Sequence, residues 1–407
     1  MASDPVDCLS MACHDPACDF KPLKMQRRPV GDFDVLLDMK YCGVCHSDLH
    51  IAANHLKGVS PTEYPCVPGH ELAGVCIQVG SKVSKVKVGD HVGVGCMLDS
   101  CKNCSNCKKG EEQKCSKQVG TYNGKDYHGR ATSHPPGRST LGGYTSKFVV
   151  HEDFAILIPK DYPLEAAGPV MCAGITMYDP MRCYGVKEGH NVGIIGLGGL
   201  GQMGIRVAKA LGAKVTAISR SSGKEAFAKE CGADDFIVSS SAEDMKKHEG
   251  ALDLILNTIP VYHDYCQYNM LSKKKGGKHV LLGLHAGLAG AMLANSMTFG
   301  GSRLMHSGIG GIPATQEVMD LCAKHKIMLK TEIVPCKDIN KVYEALDSNN
   351  DGGVRYVLDI EKTLNEKTEE ECTLPPPNLH APDSSGLLSP GGALKEAMWI
   401  LFTGKWL

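Results

Sequence analysis

Residues 101–115 read Cys101-Lys102-Asn103-Cys104-Ser105-Asn106-Cys107-Lys108-Lys109-Gly110-Glu111-Glu112-Gln113-Lys114-Cys115. The four cysteines stand at the spacing C-x2-C-x2-C-x7-C. Zn²⁺ favours four thiolates in a tetrahedron, and short C-x2-C steps let neighbouring thiolates share one ion. The spacing therefore predicts a small lobe closed around one structural zinc. Two disulfides, or four thiols without a ligand, are the alternatives, and so tight and regular a spacing argues against both. Cys96 lies just outside the pattern and is not assigned to this ion. A zinc with four thiolates has no open position, so the lobe is not itself catalytic.

The chain has 407 residues, 19 of them cysteines, and a net charge of −1. That length suffices for two ordinary domains and a substantial core. Near-neutral charge argues against nucleic acid or an anionic membrane as the main partner. No uninterrupted apolar run is long enough to span a bilayer. The segment from Met1 to Pro16 carries Asp4, Asp7 and Asp15 and no arginine, unlike a signal or transit peptide. Secreted disulfide proteins are usually small. Cysteines at ligand spacing in a chain this long point instead to metal and free thiols in a reducing compartment. The expected location is cytoplasmic.

Working outward from the lobe, residues 1–164 are β-rich and loop-rich. Short apolar runs such as Val35-Leu36-Leu37 and Val92-Gly93-Val94 are punctuated by Gly, Pro and Asp. Residues 165–308 alternate strand-like runs (Asn191 to Ile195, Lys214 to Ser219, Leu252 to Leu256, His279 to Leu282) with helical stretches. That alternation predicts parallel β/α units and a doubly wound α/β domain. In 309–360 a helix from Thr315 to Lys324 leads to the alternating strand Val354 to Ile360, which is expected to return to the first domain. Residues 361–407 hold an acidic run and Pro375-Pro376-Pro377. They read as a C-terminal extension, disordered or loosely docked.

A second set of ligand-type residues is scattered. Cys45 opens Cys45-His46-Ser47-Asp48-Leu49-His50, Gly69-His70-Glu71 adds an imidazole and a carboxylate, and Cys172 lies in Met171-Cys172-Ala173-Gly174. A catalytic zinc needs three protein ligands and one open position. Cys45, His70 and Cys172 supply such a set, with Glu71 as an alternating fourth ligand or a supporting partner. Taken singly, each is as well explained as a core cysteine or a structural histidine. The inference rests on all of them together around the lobe.

The run His190 to Ile195 reads as a strand and enters Gly196-Leu197-Gly198-Gly199-Leu200-Gly201, a G-x-G-x-x-G. Leu200, Met203, Val207, Ala208 and Leu211 then mark one helix face. Strand, glycine turn and helix together predict a pyrophosphate held at the helix N-terminus. The next strand ends at Ser219-Arg220-Ser221-Ser222-Gly223-Lys224. An NAD site places an acid there for the ribose 2′-hydroxyl. Here hydroxyls and two cations stand instead, which suits the 2′-phosphate of NADP. The alternative is a solvated turn.

Together these motifs resemble the zinc-dependent medium-chain dehydrogenase/reductases, most closely the cinnamyl alcohol dehydrogenase branch, over about residues 8–360. The resemblance implies a GroES-like catalytic domain joined to a Rossmann domain, with the active site in the cleft, two zincs per subunit and NADP(H). It implies a homodimer through the nucleotide-binding domains and a small alcohol or aldehyde substrate. Carried over by position, Cys45, His70 and Cys172 bind the catalytic zinc with Glu71 beside them. Ser47 takes the proton from a zinc-bound alcohol and His50 passes it on through the cofactor ribose, while the alkoxide yields hydride. Thr176 and Ile309 are implied at the cofactor, with Gly196, Gly198, Gly199, Leu200 and Gly201. Ser219, Arg220, Ser221 and Lys224 surround the 2′-phosphate.

Two positions depart from that branch. Gly120 and Gly308 stand where pocket aromatics are expected. A wider or reshaped pocket follows, unless Tyr122 or Met97 fills the space. Leu56, Cys96 and Ile309 remain as lining residues. The loop Gly129 to Thr140 is also atypical. Two other activities compete: reduction of an iminium or conjugated double bond on the same fold, or a non-enzymatic zinc or redox-sensing role. Retention of Ser47 and His50 favours alcohol chemistry.

Overall fold

The computed structural model describes residues 4–58, 60–129, 133–134, 138–261, 263–283, 304–348 and 353–364. Most of the extension after residue 360, and half of the loop from Gly129 to Thr140 that follows the lobe, lie outside them. The described residues form two compact units. One is built from the chain up to Ile175 and again from Ile309 onward, the other from Thr176–Gly308.

The first unit is organised by the strand Asp34–Gly43, whose Val35, Leu36, Leu37, Met39 and Cys42 are all buried. It pairs antiparallel with Leu72–Val79, Lys147–His151 and Arg355–Asp359. The sheet continues through His91–Val94 to Ile156–Ile158 on one side, and through Arg355–Asp359 to Thr331–Pro335 on the other. The returning strand thus joins the first unit, as the alternation at Val354 to Ile360 predicts. A three-stranded sheet of Val6–Cys13, Phe20–Arg27 and Ser133–His134 completes the unit. Full burial of side chains such as Leu37 and Phe148 contributes about 2 kcal/mol each. Arg27 is fully buried too. Its guanidinium donates to Leu141 O (2.6 Å) and Gly142 O (2.7 Å) and lies over the Phe148 ring. Paired in this way, the charge anchors the chain before Tyr144 instead of being stranded in the core.

The second unit is an all-parallel six-stranded sheet in the order Asp235–Val238, Lys214–Ser219, Asn191–Ile195, Leu254–Asn257, Lys278–Leu281, Leu304–His306. Two expected strands are matched residue for residue, and the other two are displaced by one or two residues at their ends. The helix Gly199–Ala210 buries Met203, Ile205, Val207 and Ala208. Leu200 and Leu211 are only half-buried, and Ile205, absent from the expected face, belongs to it.

A buried polar network sits within this unit. Asn257 Nδ2 donates to His263 Nε2 (2.8 Å) and His279 Nε2 (3.1 Å). His279 Nδ1 donates to Asn269 Oδ1 (2.7 Å), and His263 Nδ1 to Val261 O (2.7 Å). Both rings are therefore neutral, with the proton on Nδ1. Burial, with His263 close by, holds His279 down at about 3, against 6.5 for an ordinary histidine. Below pH 6.5 the unfolded chain takes up a proton that the folded ring refuses. Stability is thus complete above pH 6.5 and falls as pH drops, by about 1.4 kcal/mol per unit. Urea unfolding of wild type and His279→Gln between pH 7 and 5 checks this. The substitution should remove that slope, and an unchanged slope would locate its source elsewhere.

Candidate metal centres and nucleotide turn

Cys45 precedes the helix His46–Ala52 in extended conformation. Three residues on, the Asp48 side chain turns back to accept the Cys45 N–H at 2.9 Å. Asp48 is fully buried and collects three more donors: Gly69 N (3.2 Å), His70 Nδ1 (2.9 Å) and the Tyr144 hydroxyl (3.0 Å). A carboxylate only accepts, so Nδ1 carries the ring proton and Nε2 presents its lone pair. Nε2 lies 3.2 Å from Cys172 Sγ, and Cys172 Sγ lies 3.9 Å from Cys45 Sγ.

Glu71 completes the cluster, and donor atoms of all four residues lie within 4.8 Å of one another. Glu71 is fully buried, yet neither carboxylate oxygen accepts a hydrogen bond among the described residues. Arg355 Nη1 stands 3.6 Å from Glu71 Oε1 while donating to Val44 O. Burial pushes the Glu71 carboxyl up to about 7, against the pull of Arg355. Gly43 is what admits this carboxylate, since a Cβ there would fall 2.0 Å from Glu71 Oε2. A tetrahedral zinc with Zn–S near 2.3 Å sets two thiolates ~3.8 Å apart and a thiolate ~3.5 Å from an imidazole nitrogen. The observed separations, and a buried carboxylate without a hydrogen bond beside them, fit a divalent cation.

Ser47 Oγ faces Cys45 Sγ at 3.8 Å. His50 lies one turn further along the same helix, half-buried, with Nδ1 3.1 Å from His55 Nδ1.

The four sulfurs of the lobe lie together. Cys107 Sγ lies 3.8 Å from Cys101 Sγ and 3.5 Å from Cys104 Sγ, and Cys115 shares the cluster. Backbone N–H groups of Cys104 and Lys117 point at the sulfurs of Cys101 and Cys115. Such donors favour thiolate, and the backbone around Asn103 and Cys104 lowers Cys101 to about 6. This set, too, fits a tetrahedral ion.

In the second unit the strand Asn191–Ile195 ends at Gly196, whose φ of +88° suits glycine. Gly198 caps the helix, and a Cβ on Gly201 would lie 2.0 Å from Gly196 O. The turn therefore exposes bare backbone at a helix N-terminus. Ser219 ends its strand half-buried, and Arg220, Ser221 and Lys224 follow on the exposed turn. Neither Arg220 nor Lys224 makes an ion pair among the described residues. Thr176 is buried in the helix Ala173–Cys183 of this unit. Ile309 belongs to the first unit, where it lines a small cavity with Cys96, Met97 and Met171.

Sequence reasoning gave no role to Asp48 and Arg355. Asp48 had a signal, an acid three residues past an N-terminal helix cap. Arg355 had none, because its contact with Val44 spans 311 positions.

Residues 31–160 match the alcohol dehydrogenase GroES-like domain family and residues 199–324 the zinc-binding dehydrogenase family. A probable cinnamyl alcohol dehydrogenase 3 of Oryza sativa subsp. japonica is 40% identical over 371 residues, covering 91% of this chain and 98% of the relative. The aldehyde reductase YahK of Escherichia coli (strain K12) is 41% identical over 341 residues, covering 83% and 94%. Among solved structures, a Sorghum bicolor cinnamyl alcohol dehydrogenase superposes with a TM-score of 0.79 at 36% identity, covering 89% of this chain and all of that one. A Helicobacter pylori CAD complexed with NADP(H) gives 0.76 at 36%, covering 88% of this chain and all of that one.

The Asp48 contacts generate a prediction. Asp48→Ala leaves His70 free to rotate and removes a buried acceptor from several donors. Cobalt titration of the Cys45/His70/Cys172 cluster should show affinity weakened about 10- to 100-fold, with the lobe's thiolate–cobalt absorption intact. Equal retention of metal at both sites would show that Asp48 does not orient the ligand.

Proposed function

The chain belongs to the zinc-dependent medium-chain dehydrogenases, in the cinnamyl alcohol dehydrogenase branch, and is an alcohol/aldehyde oxidoreductase; on that premise we propose a zinc-dependent, NADP(H)-linked enzyme interconverting primary alcohols and aldehydes. The observation that carries this reading is the buried convergence of Cys45, His70, Glu71 and Cys172. Zinc held by Cys45, His70 and Cys172 supplies a Lewis acid for a carbonyl or hydroxyl oxygen, and NADP(H) carries the hydride. Glu71 stands ready as an alternating fourth donor, and Arg355 keeps its charge tolerable in the core.

The chain's own groups then handle the proton. In the oxidative direction the Ser47 hydroxyl, close to the Cys45 sulfur, takes the substrate's hydroxyl proton, and His50 carries it outward. Burial, with His55 and His46 nearby, holds the His50 ring below the ordinary histidine value. The ring is thus neutral near pH 7 and able to accept. In reduction the same groups deliver the proton.

NADP preference rests on Ser219, Arg220, Ser221 and Lys224, and on the absence of an acid at this turn. The Helicobacter pylori relative, complexed with NADP(H), supports it. The expected pocket aromatics are missing at Gly120 and Gly308. A Cβ on Gly120 would meet its nearest atom, Tyr122 O, at 3.4 Å, and a Cβ on Gly308 would meet nothing within 4 Å. We therefore propose broad aldehydes, aromatic ones included.

A homodimer through the nucleotide-binding unit is proposed with the sheet edge Leu304–His306, beyond which no strand lies among the described residues. A cytoplasmic location suits the free state of the described cysteines. No described helix is long and apolar enough to cross a membrane.

NADPH oxidation with a panel of aromatic and aliphatic aldehydes tests the proposal. Failure to turn over any member, in protein carrying zinc at both sites, would sink it. Cofactor choice is tested separately. Arg220→Asp should raise the KM for NADPH about 10- to 100-fold and improve the relative use of NADH. An unchanged cofactor ratio would refute the 2′-phosphate assignment.

A further inference from the structure

The helix Ile312–His325 is badly equipped to start by itself. Its N-cap is Gly311, which has no side chain, and Pro313 offers no N–H. Thr315 N already bonds Gly311 O, so Ile312 N–H is one of the orphaned donors of the first turn. Its partner comes from 200 positions away. Glu112 Oε2, in the lobe, accepts it at 2.9 Å.

The backbones are fitted to one another at the same place. A Cβ on Gly311 would lie 1.9 Å from Gly110 O, and a Cβ on Gly110 would lie 2.7 Å from Pro313 Cγ. Glu112 occupies the single turn Glu112–Lys114 that runs into Cys115. A metal held by Cys107 and Cys115 therefore fixes both ends of the segment that presents Gly110 and Glu112.

The capped turn is one wall of a small cavity. Ile309, Ile312 and Thr315 line it on the helix side, with Cys96, Met97 and Met171 opposite. Met171 adjoins Cys172, and the Cys96 thiol interacts with the Cys172 thiol. The cavity thus lies beside the catalytic cluster.

We propose that Glu112 is a positioning residue for substrate selection: through it the lobe sets the first turn of Ile312–His325, and that turn shapes the pocket for the part of the substrate away from the reacting carbon. This rests on the reading above that the cavity beside Cys172 receives an aldehyde. The lobe's metal then does more than close its own loop, since it holds a side chain that caps a helix in the pocket wall.

The test combines hydrogen exchange with kinetics on the full-length, zinc-loaded protein. Exchange in peptides spanning 309–316 should quicken about tenfold in Glu112→Ala, as for loss of one charge-assisted bond. Glu112→Asp keeps the lobe's charge but falls short of Ile312 N–H, so it should behave alike. Glu112→Gln keeps an oxygen in place and should restore protection. KM for a bulky aromatic aldehyde should rise about five- to tenfold in Glu112→Ala and Glu112→Asp. KM for acetaldehyde and for NADPH should stay within twofold, and zinc content should be unchanged. Wild-type exchange and KM values in both variants would overturn the proposal. So would a uniform loss of kcat accompanying loss of zinc, which would make Glu112 merely part of the lobe's fold. Should the wild type reduce no aldehyde, the catalytic reading falls. The exchange measurement still decides whether Glu112 sets this turn, and unchanged exchange would overturn it there too.

Discussion

One carboxylate organises the cluster of Cys45, His70, Glu71 and Cys172. Asp48 is fully buried and ties together the Cys45 N–H, the Gly69 N–H, the His70 ring and the Tyr144 hydroxyl. An isolated charge in this position would cost several kcal/mol, and four donors offset that cost. The same contacts fix the start of the helix His46–Ala52, the loop before Leu72–Val79 and the tautomer of His70. Because His70 must donate at Nδ1, its other nitrogen is left to face Cys172. The metal-binding geometry thus follows from a hydrogen-bond requirement satisfied elsewhere.

The surrounding sheet serves this constraint. Asp34–Gly43 brings Gly43 against Glu71, and the returning strand Arg355–Asp359 brings a guanidinium to the same carboxylate. Neither Glu71 oxygen accepts a hydrogen bond among the described residues. This buried carboxylate stands 3.6 Å from the Arg355 guanidinium and beside two thiols and an imidazole. A cation received by this cluster would add to the fold's stability, as expected where ligand groups converge before the ion arrives.

What was legible in the sequence follows from the range of each interaction. The lobe was readable because its four ligands fall within fifteen positions, and the glycine turn because strand, turn and helix are contiguous. Four of the six strands of the parallel sheet were readable because each is a short, largely buried apolar run, whereas Asp235–Val238 and the half-exposed Leu304–His306 went unread. Cys45, His70 and Cys172 emerged only as members of a pattern, since nothing local to any one of them requires a metal. Arg355 and Glu112 were beyond reach. Their partners, Val44 and Ile312, lie 311 and 200 positions away, and neither residue type signals such a contact. Asp48 was locally visible as a capping acid, but its second role depends on His70 and Tyr144 arriving from other strands.

The expected aromatic wall at position 120 shows how the site divides its work. Gly120 brings no side chain, with backbone atoms of Tyr122 and Cys96 3.4 and 3.9 Å from where its Cβ would stand, but the ring of Tyr122, two residues on, lies 5.7 Å from the His70 ring at an angle of 31°. Tyr122 also interacts with Asp48. Aromatic surface is therefore present next to the ligand histidine, held by the carboxylate that orients the ligand. Around the proposed metal site the geometry is fixed by hydrogen bonds it cannot lose without losing the cluster. Farther out, where Ile309, Ile312 and Thr315 form the wall, the constraint is a helix turn capped from the lobe. Changes in that outer wall can alter which aldehyde fits while the inner geometry stays intact. On the proposed reading the glycine at 120 bears on selectivity more than on the chemistry, because Cys45 and His70 are tied to Asp48, and Ser47 and His50 stand on the helix that Asp48 caps.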